Sequence, residues 1–347
     1  MTATGRIPRR RLAKIPRELR LAHEYCYFLH DQGVHLLAQY EAARAHIVTT
    51  KFKNKAEAKT FQKLAKETDA VSAMREIGYS ADARRVVLNT ITMAMVSDCL
   101  HHIFEALRCF EKRKSVVALN LLRKPLIDNL VYLSWMLGDE DAFYQAFSSG
   151  DPEALSPRKL GNFRPKIIAQ ALAKTEVADV LTPELMLEAI FDPKNQHGLY
   201  GLFQHAVHLV TVDRLELRTS PENFNFIFKA HSDDDTYHGV YEQLPGLLLY
   251  LMHVLLELFQ RMKAMDPGAK RAFEVRSIFG LYLVEGGENA QSVLKYLTKT
   301  LTPKFSCPDC RTPVNVTTHN ASRIVLTESF RCTNCRVVTP FPYAWMF

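Results

Sequence analysis

Four cysteines near the end of the 347-residue chain fall in two pairs, Cys307-Pro-Asp-Cys310 and Cys332-Thr-Asn-Cys335, separated by 21 residues. A Cys-x-x-Cys pair places two sulfurs on one side of a tight turn, and two such turns can supply four thiolates to one tetrahedral zinc ion. Four thiolates close the coordination sphere, so the spacing predicts one structural zinc rather than a hydrolytic one. Between the pairs, residues 312–317 and 323–327 are β-prone and His319-Asn320-Ala321 reads as a turn. That pattern predicts a hairpin bringing the two pairs together, a small zinc ribbon.

Histidine is the other residue type placed for chemistry. Of the 13 histidines, His197, His205, His208, His231 and His238 fall within 42 residues, beside Asp192 and the run Asp233-Asp234-Asp235. A segment mixing carboxylate and imidazole can hold a hard divalent cation through oxygen or serve as an acid/base pair. His231, Asp233, Asp235 and His238 are therefore the candidate catalytic residues. Their spacing matches no established metal motif, and the plain alternative is a polar loop between helices. Asp98, His101, His102 and Glu105 pair four apart on one helix, as ligands in a bundle core or as surface contacts. The sequence has no phosphate-cradling Gly-rich loop, nucleophile elbow or His-Glu-x-x-His helix.

The formal net charge of +7 is concentrated at the start of the chain. Residues 1–66 hold 14 Lys or Arg against 5 Asp or Glu, whereas the remainder holds 30 against 32. Two clusters carry the excess: Arg6, Arg9, Arg10, Arg11, Lys14, Arg17 and Arg20, then Lys51, Lys53, Lys55, Lys59, Lys63 and Lys66. Such asymmetry predicts a polyanionic partner, nucleic acid or an acidic protein surface. Arg9, Arg10, Arg11, Lys14, Arg17, Lys51, Lys53 and Lys55 are the candidate phosphate contacts. The alternative is a solvated basic arm that aids solubility.

The elements that must position these groups are almost all helical. With 47% hydrophobic and 23% charged residues, the composition is that of a globular protein. Apolar periodicity predicts helices over about 17–49, 55–75, 83–111 and 116–137, the last disturbed by Pro125, and a short one near 142–147. Residues 138–165 are rich in turn signals. Further helices are expected over 166–175, 183–191, 198–210, 221–230, 240–264, 268–283 and 288–300, with Thr182-Pro-Glu and Ser220-Pro-Glu as N-terminal caps. The fold class is mainly α, a multi-helix bundle with a small C-terminal β zinc ribbon. Its expected parts are a basic arm (1–16), an N-terminal helical region (17–137), a turn-rich connection (138–165), a C-terminal helical region (166–300) and the ribbon (304–347). Pro303 is expected to separate the ribbon's core from that of the body. The apolar end of the chain, 341–347, is expected to pack back onto something. Cys26, Cys99 and Cys109 lie in apolar patterns, so no disulfide framework is expected and a reducing compartment fits. The basic N-terminus lacks a following apolar run, and the apolar stretch 247–259 is short and contains His253 and Glu257. A cytoplasmic location without a membrane partner is expected.

The segment Cys99-Leu-His-His-Ile-Phe-Glu-Ala-Leu-Arg108, followed by Ala118-Leu-Asn-Leu-Leu-Arg-Lys-Pro-Leu-Ile-Asp-Asn-Leu130 and Trp135, resembles a group of uncharacterised bacterial helical proteins. That group is distantly similar to HEPN-type proteins, many of which are ribonucleases or accessory modules of toxin and phage-defence systems. The resemblance covers about residues 99–147, and this chain has Asp128 where the group commonly has Glu. A HEPN ribonuclease needs Arg-x(4–6)-His on a helix, and the sole match is Arg17-x5-His23. The leading expectation is a zinc-ribbon helical protein that binds nucleic acid or a nucleoprotein partner, in phage defence or stress response. The alternatives are a HEPN-like or metal-dependent nuclease, and a structural subunit, in an oligomer or a complex, that uses the ribbon for protein docking.

Overall fold

The computed structural model describes residues 4–212, 218–225, 232 and 234–341. The chain begins with a single turn, α1 (Arg9–Leu12), and a 3-10 turn at Arg17–Leu19, which lead into α2 (Arg20–Ala42). The lysine-rich helix expected over 55–75 is two helices, α3 (Lys55–Glu67) and α4 (Ala70–Glu76). Asp69 breaks it by capping α4, accepting from the amides of Val71 at 2.8 Å and Ser72 at 3.0 Å. The long helix α5 (Ser80–Phe110) follows. Next, α6 (Ser115–Arg123) passes through a π-helical turn at Lys124–Asn129 into α7 (Leu130–Gly138). Pro125 has no N–H to continue the ladder, and the widened turn absorbs it: the Leu130 amide reaches back to the Pro125 carbonyl.

The turn-rich connection holds α8 (Glu140–Ser148), a 3-10 turn at Pro152–Leu155 and α9 (Pro157–Leu160). It leads to α10 (Arg164–Leu172), α11 (Pro183–Ile190) and α12 (Leu199–Val207). Thr182 caps α11 as its Thr-Pro-Glu signal predicts, accepting from the Leu185 amide at 3.2 Å. The equivalent signal at Ser220 fails in the part that is described, where 221–225 is turn and coil and Glu222 sits at φ 58°. The body closes with α13 (Asp235–Met262), α14 (Pro267–Glu285) and α15 (Gly287–Leu301). The C-terminal unit contains α16 (Thr318–Thr327) and the antiparallel strands β1 (Ser329–Arg331) and β2 (Val338–Pro340), with Phe330 opposite Thr339.

One main apolar core runs from Ile7 to Phe341, with a small satellite of Val131, Leu160 and Ile167 beside it. Its axis is α13, which packs against α2, α7 and α14 and is buried on every side along most of its length. By length and composition α5 and α13 could each cross a membrane; 78% of the apolar window of α13 is buried inside the protein, as for a core helix, against 39% in α5. Helices on both sides of the 138–165 connection share this core, α7 against α10 and α2 against α13. Where α14 crosses α2, Gly280 faces the Tyr25 ring, and a Cβ there would lie 2.4 Å from a ring carbon.

Three expectations are corrected. The segment between the cysteine pairs is a helix rather than a hairpin. Ile324, Val325 and Thr327 favour strands locally, but Thr317 caps the segment and Ile324, Val325 and Leu326 are buried against α14, α15 and α2. Arg276 donates to the Val325 carbonyl at 2.9 Å and Arg6 to the Leu326 carbonyl at 2.7 Å, satisfying the end of α16. Pro303 accordingly does not separate two cores, since α16, Phe330 and Phe341 are part of the main one. The N-terminal arm is likewise no free arm. Ile7, Leu12 and Ile15 are buried, and the buried Glu24 carboxylate accepts from the amides of Thr4, Gly5 (3.1 Å) and Ile7 (3.2 Å). At the other end, Phe341 packs edge-on against Phe305, ring centroids 5.0 Å apart, while 342–347 lies outside the described residues.

Candidate metal centre and basic pocket

Each cysteine pair sits in the same local turn. The Cys307 amide donates to the Thr312 carbonyl at 2.8 Å, and the Arg311 amide to the Cys307 carbonyl at 3.0 Å. In the second, the Cys332 amide donates to Val337 at 2.9 Å and the Arg336 amide to Cys332 at 3.2 Å. The residue after each pair must turn left-handed, and both are arginines: Arg311 at φ 58° and Arg336 at φ 66°. The repeated Cys-x-x-Cys-Arg is a sequence signal that the cysteine spacing alone left unused. The two turns face one another, with Cys307 and Cys335 sulfurs 3.6 Å apart, Cys310 and Cys332 3.5 Å apart, and all four within 4.8 Å of one another. A regular tetrahedron with metal–sulfur bonds of about 2.3 Å has edges of about 3.8 Å, so the donors fit a four-coordinate metal.

The electrostatics point the same way. Hydrogen bonds from the Thr312 hydroxyl and amide bring the Cys310 thiol down to about 5. At Cys335 a backbone bond at Val337 works in the same direction, but burial and the three neighbouring sulfurs push that thiol up to about 12. One thiolate is easily formed here; four need a cation among them. The Asn334 amide also points at the Cys332 sulfur, 3.4 Å away. Four sulfur donors leave no open coordination position and suit a tetrahedral soft cation, zinc or iron. The other three cysteines are core residues: Cys26 and Cys99 are buried, Cys109 is half-buried, and burial pushes the Cys99 thiol up to about 12.

Beside the second cysteine turn lies a concavity of about 410 Å³ lined by Arg9, His319, Asn320, Arg323, Arg331 and Arg336, among others. Sequence reading did not join these residues, because they come from the N-terminal segment, α16 and the turns around the second cysteine pair. No Asp or Glu is among its described lining residues.

The basic residues of the first cluster divide into two kinds. Arg11 is corrected from a phosphate contact to a structural cation. Its guanidinium grips the buried Glu111 carboxylate with bonds of 2.9 and 2.6 Å, and Arg108 adds one of 2.6 Å. Burial works to raise the Glu111 carboxyl, but His23, Arg11 and Tyr27 outweigh it and hold it down to about 2. Arg6 is spent on Asp31 and on α16. By contrast Arg9, Arg10, Lys14, Arg17, Lys51, Lys53 and Lys55 are exposed.

Of the candidate catalytic residues, His231 and Asp233 lie outside the described residues. Asp235 and His238 fall in the first turn of α13, where half-exposed His238 pairs with Glu18 at 3.3 Å. His197 sits 3.8 Å from Glu242, also on the surface. Asp98 is taken by Lys124 at 2.8 Å and Asn129 at 2.7 Å, while His101 and Glu105 are exposed. Among the described residues the four cysteines are the one group arranged to hold a metal. The Arg17-x5-His23 match does not form an open Arg–His site. Arg17 is exposed in the 3-10 turn, whereas His23 is fully buried, bonded through Nδ1 to the Tyr241 hydroxyl, and kept neutral by burial.

Fold and site together define a mainly helical protein with an integrated cluster of four cysteines that could hold a metal ion. No protein-family model matches the chain, and neither a curated protein nor a solved structure is detectably similar to it.

Proposed function

We propose that the protein binds nucleic acid, alone or within a nucleoprotein, through cations near its N-terminus, on a scaffold whose C-terminal unit is held by one structural zinc. The observation that carries this reading is the separation of paired from unpaired cations. Arg6 and Arg11 serve the fold. Arg9, Arg10, Lys14, Arg17, Lys51, Lys53, Lys55, Lys59 and Lys66 are exposed, and no ion pair neutralises any of them among the described residues. The one pair on α3, Lys63 with Glu67, spans 3.9 Å between exposed side chains and holds little energy. Exposed cations outside any ion pair are free to displace counterions from a phosphate backbone, a sequence-independent interaction. Zinc is the metal assigned because a closed thiolate set in paired turns suits a redox-inert tetrahedral ion with a structural role.

The test is the salt dependence of binding. Replacing Lys51, Lys53 and Lys55 by Gln should weaken binding to all sequences about equally. Each lost contact should flatten the log–log salt slope by about 0.9 for duplex DNA and about 0.7 for single strands. If the unaltered protein binds neither DNA nor RNA at low salt, the reading fails, and an acidic protein surface becomes the partner to seek.

A further inference from the structure

The basic pocket differs from the solvated lysines of α3 in being concave and assembled from three segments distant in sequence. Arg9 comes from the N-terminal segment, His319 and Arg323 from α16, and Arg331 and Arg336 flank the second cysteine turn. Its parts are held in place. Buried Asn320 ties the cysteine turn to the start of α16, accepting from the Arg331 amide at 3.2 Å and donating to the Arg331 carbonyl at 3.0 Å. Arg323 donates to the Thr4 carbonyl and to the Ser329 hydroxyl at 2.8 Å, and its Nε is buried without a partner. Burial and the charge of Arg331 lower the Arg323 pKa, against a smaller raising by Glu24, as for cations crowded together. Glu24, whose charge reaches Arg323, is already committed to the amides of Thr4, Gly5 and Ile7. The N-terminus of α16 also opens here at Thr317, adding the positive end of its dipole.

We propose that this pocket binds the terminal phosphate of a nucleic-acid strand, an inference that rests on the nucleic-acid reading above. Four guanidiniums with no lining carboxylate match a phosphomonoester, which carries about −1.5 to −2 charge, better than a singly charged internal diester. Guanidinium forks suit the several oxygens of such a group. Apart from His319 the described lining has no aromatic ring, so the base has no stacking platform and is not read. A concavity of about 410 Å³ has the size of a small-ligand site and admits a strand end rather than a duplex.

The test uses the full zinc-loaded chain and short single strands of one sequence ending in 5′-phosphate, 3′-phosphate or hydroxyl only, followed by fluorescence anisotropy. At least one phosphorylated end should bind about tenfold or more tighter than the hydroxyl-ended strand. Arg331→Gln combined with Arg336→Asn, which tolerates a left-handed backbone, should remove that preference and leave zinc content unchanged. Lys51→Gln with Lys53→Gln should weaken all three strands alike and keep the preference. Equal affinity for all three strands overturns the pocket assignment and leaves the nucleic-acid reading standing. A preference that survives the double arginine variant places the end elsewhere and also overturns it. Absence of binding to every strand overturns both.

Discussion

Arg11→Met tests whether the N-terminal segment is docked through a buried ion pair. Glu111 is 5% exposed and holds Arg11 through bonds of 2.9 and 2.6 Å. Removing Arg11 leaves the carboxylate with Arg108 at 2.6 Å, the longer contact to His23 Nε2 at 3.5 Å, and the Tyr27 hydroxyl. Burial lowers the His23 pKa and so opposes its protonation in reply. Breaking one side of a buried pair costs about 3–5 kcal/mol when no partner remains. Arg108 still compensates one oxygen, and Arg11 itself keeps 28% side-chain exposure, which brings the expected loss to about 2–3 kcal/mol. The variant also loses the guanidinium stacked 5.1 Å from the Tyr27 ring centre. Urea unfolding at neutral pH, followed by far-UV circular dichroism, measures the loss. A cycle with Glu111→Gln should show coupling above about 1 kcal/mol. Arg9→Gln and Arg10→Gln should leave stability unchanged within about 0.5 kcal/mol. An Arg11→Met variant as neutral as those two would refute the buried pair as the anchor of this segment. That role is equally refuted if Arg11→Met weakens oligonucleotide binding without changing stability, since Arg11 would then be a free contact.

Cys332→Ser should reduce zinc below one per chain by elemental analysis and lower the melting temperature of the whole protein, because α16 and Phe330 belong to the main core; a loss confined to 305–341 by hydrogen exchange would contradict that continuity. Gly280→Ala should destabilise by about 1–3 kcal/mol in urea unfolding, since its Cβ would meet the Tyr25 ring at 2.4 Å while the Tyr25 hydroxyl is held on the Ser277 carbonyl at 2.7 Å; a neutral result would deny the close crossing of α2 and α14. His253 is buried and bonded to the Ser277 hydroxyl at 2.8 Å, and burial, with a smaller contribution from Lys270, lowers its pKa to about 3. Its folded-state pKa lies below the unfolded value of about 6.5, so the unfolded chain takes the proton first. The contribution is present above pH ~6.5 and is lost as pH falls towards ~3, joined below pH ~4.5 by that of Glu111. Urea midpoints should therefore drop between pH 6.5 and 4, and the drop should shrink in His253→Gln; an equal slope in that variant would remove His253 from the account.

What could be read along the chain was whatever depends on near neighbours. The metal ligands are legible because a Cys-x-x-Cys turn is a local object, and the helices because apolar periodicity records which face is buried. The Pro125 disturbance was readable for the same reason: a missing N–H acts within one turn. Local preference misjudged residues 323–327, where β-branched side chains entered a helix because α14, α15 and α2 offered an apolar surface to bury them. Charge counting could not tell Arg11 from Arg9 or Arg10, since the difference lies in Glu111, a hundred positions away, and in how much water each guanidinium keeps. The pocket of Arg9, Arg323, Arg331 and Arg336 joins the two ends of the chain, and no spacing rule reaches that far. Composition and local pattern thus determine the helices, the cysteine turns and the excess of positive charge. Only the tertiary fold decides which charges are buried with a partner and which are left to meet a ligand, because desolvation and Coulomb energy depend on distance in space rather than along the chain.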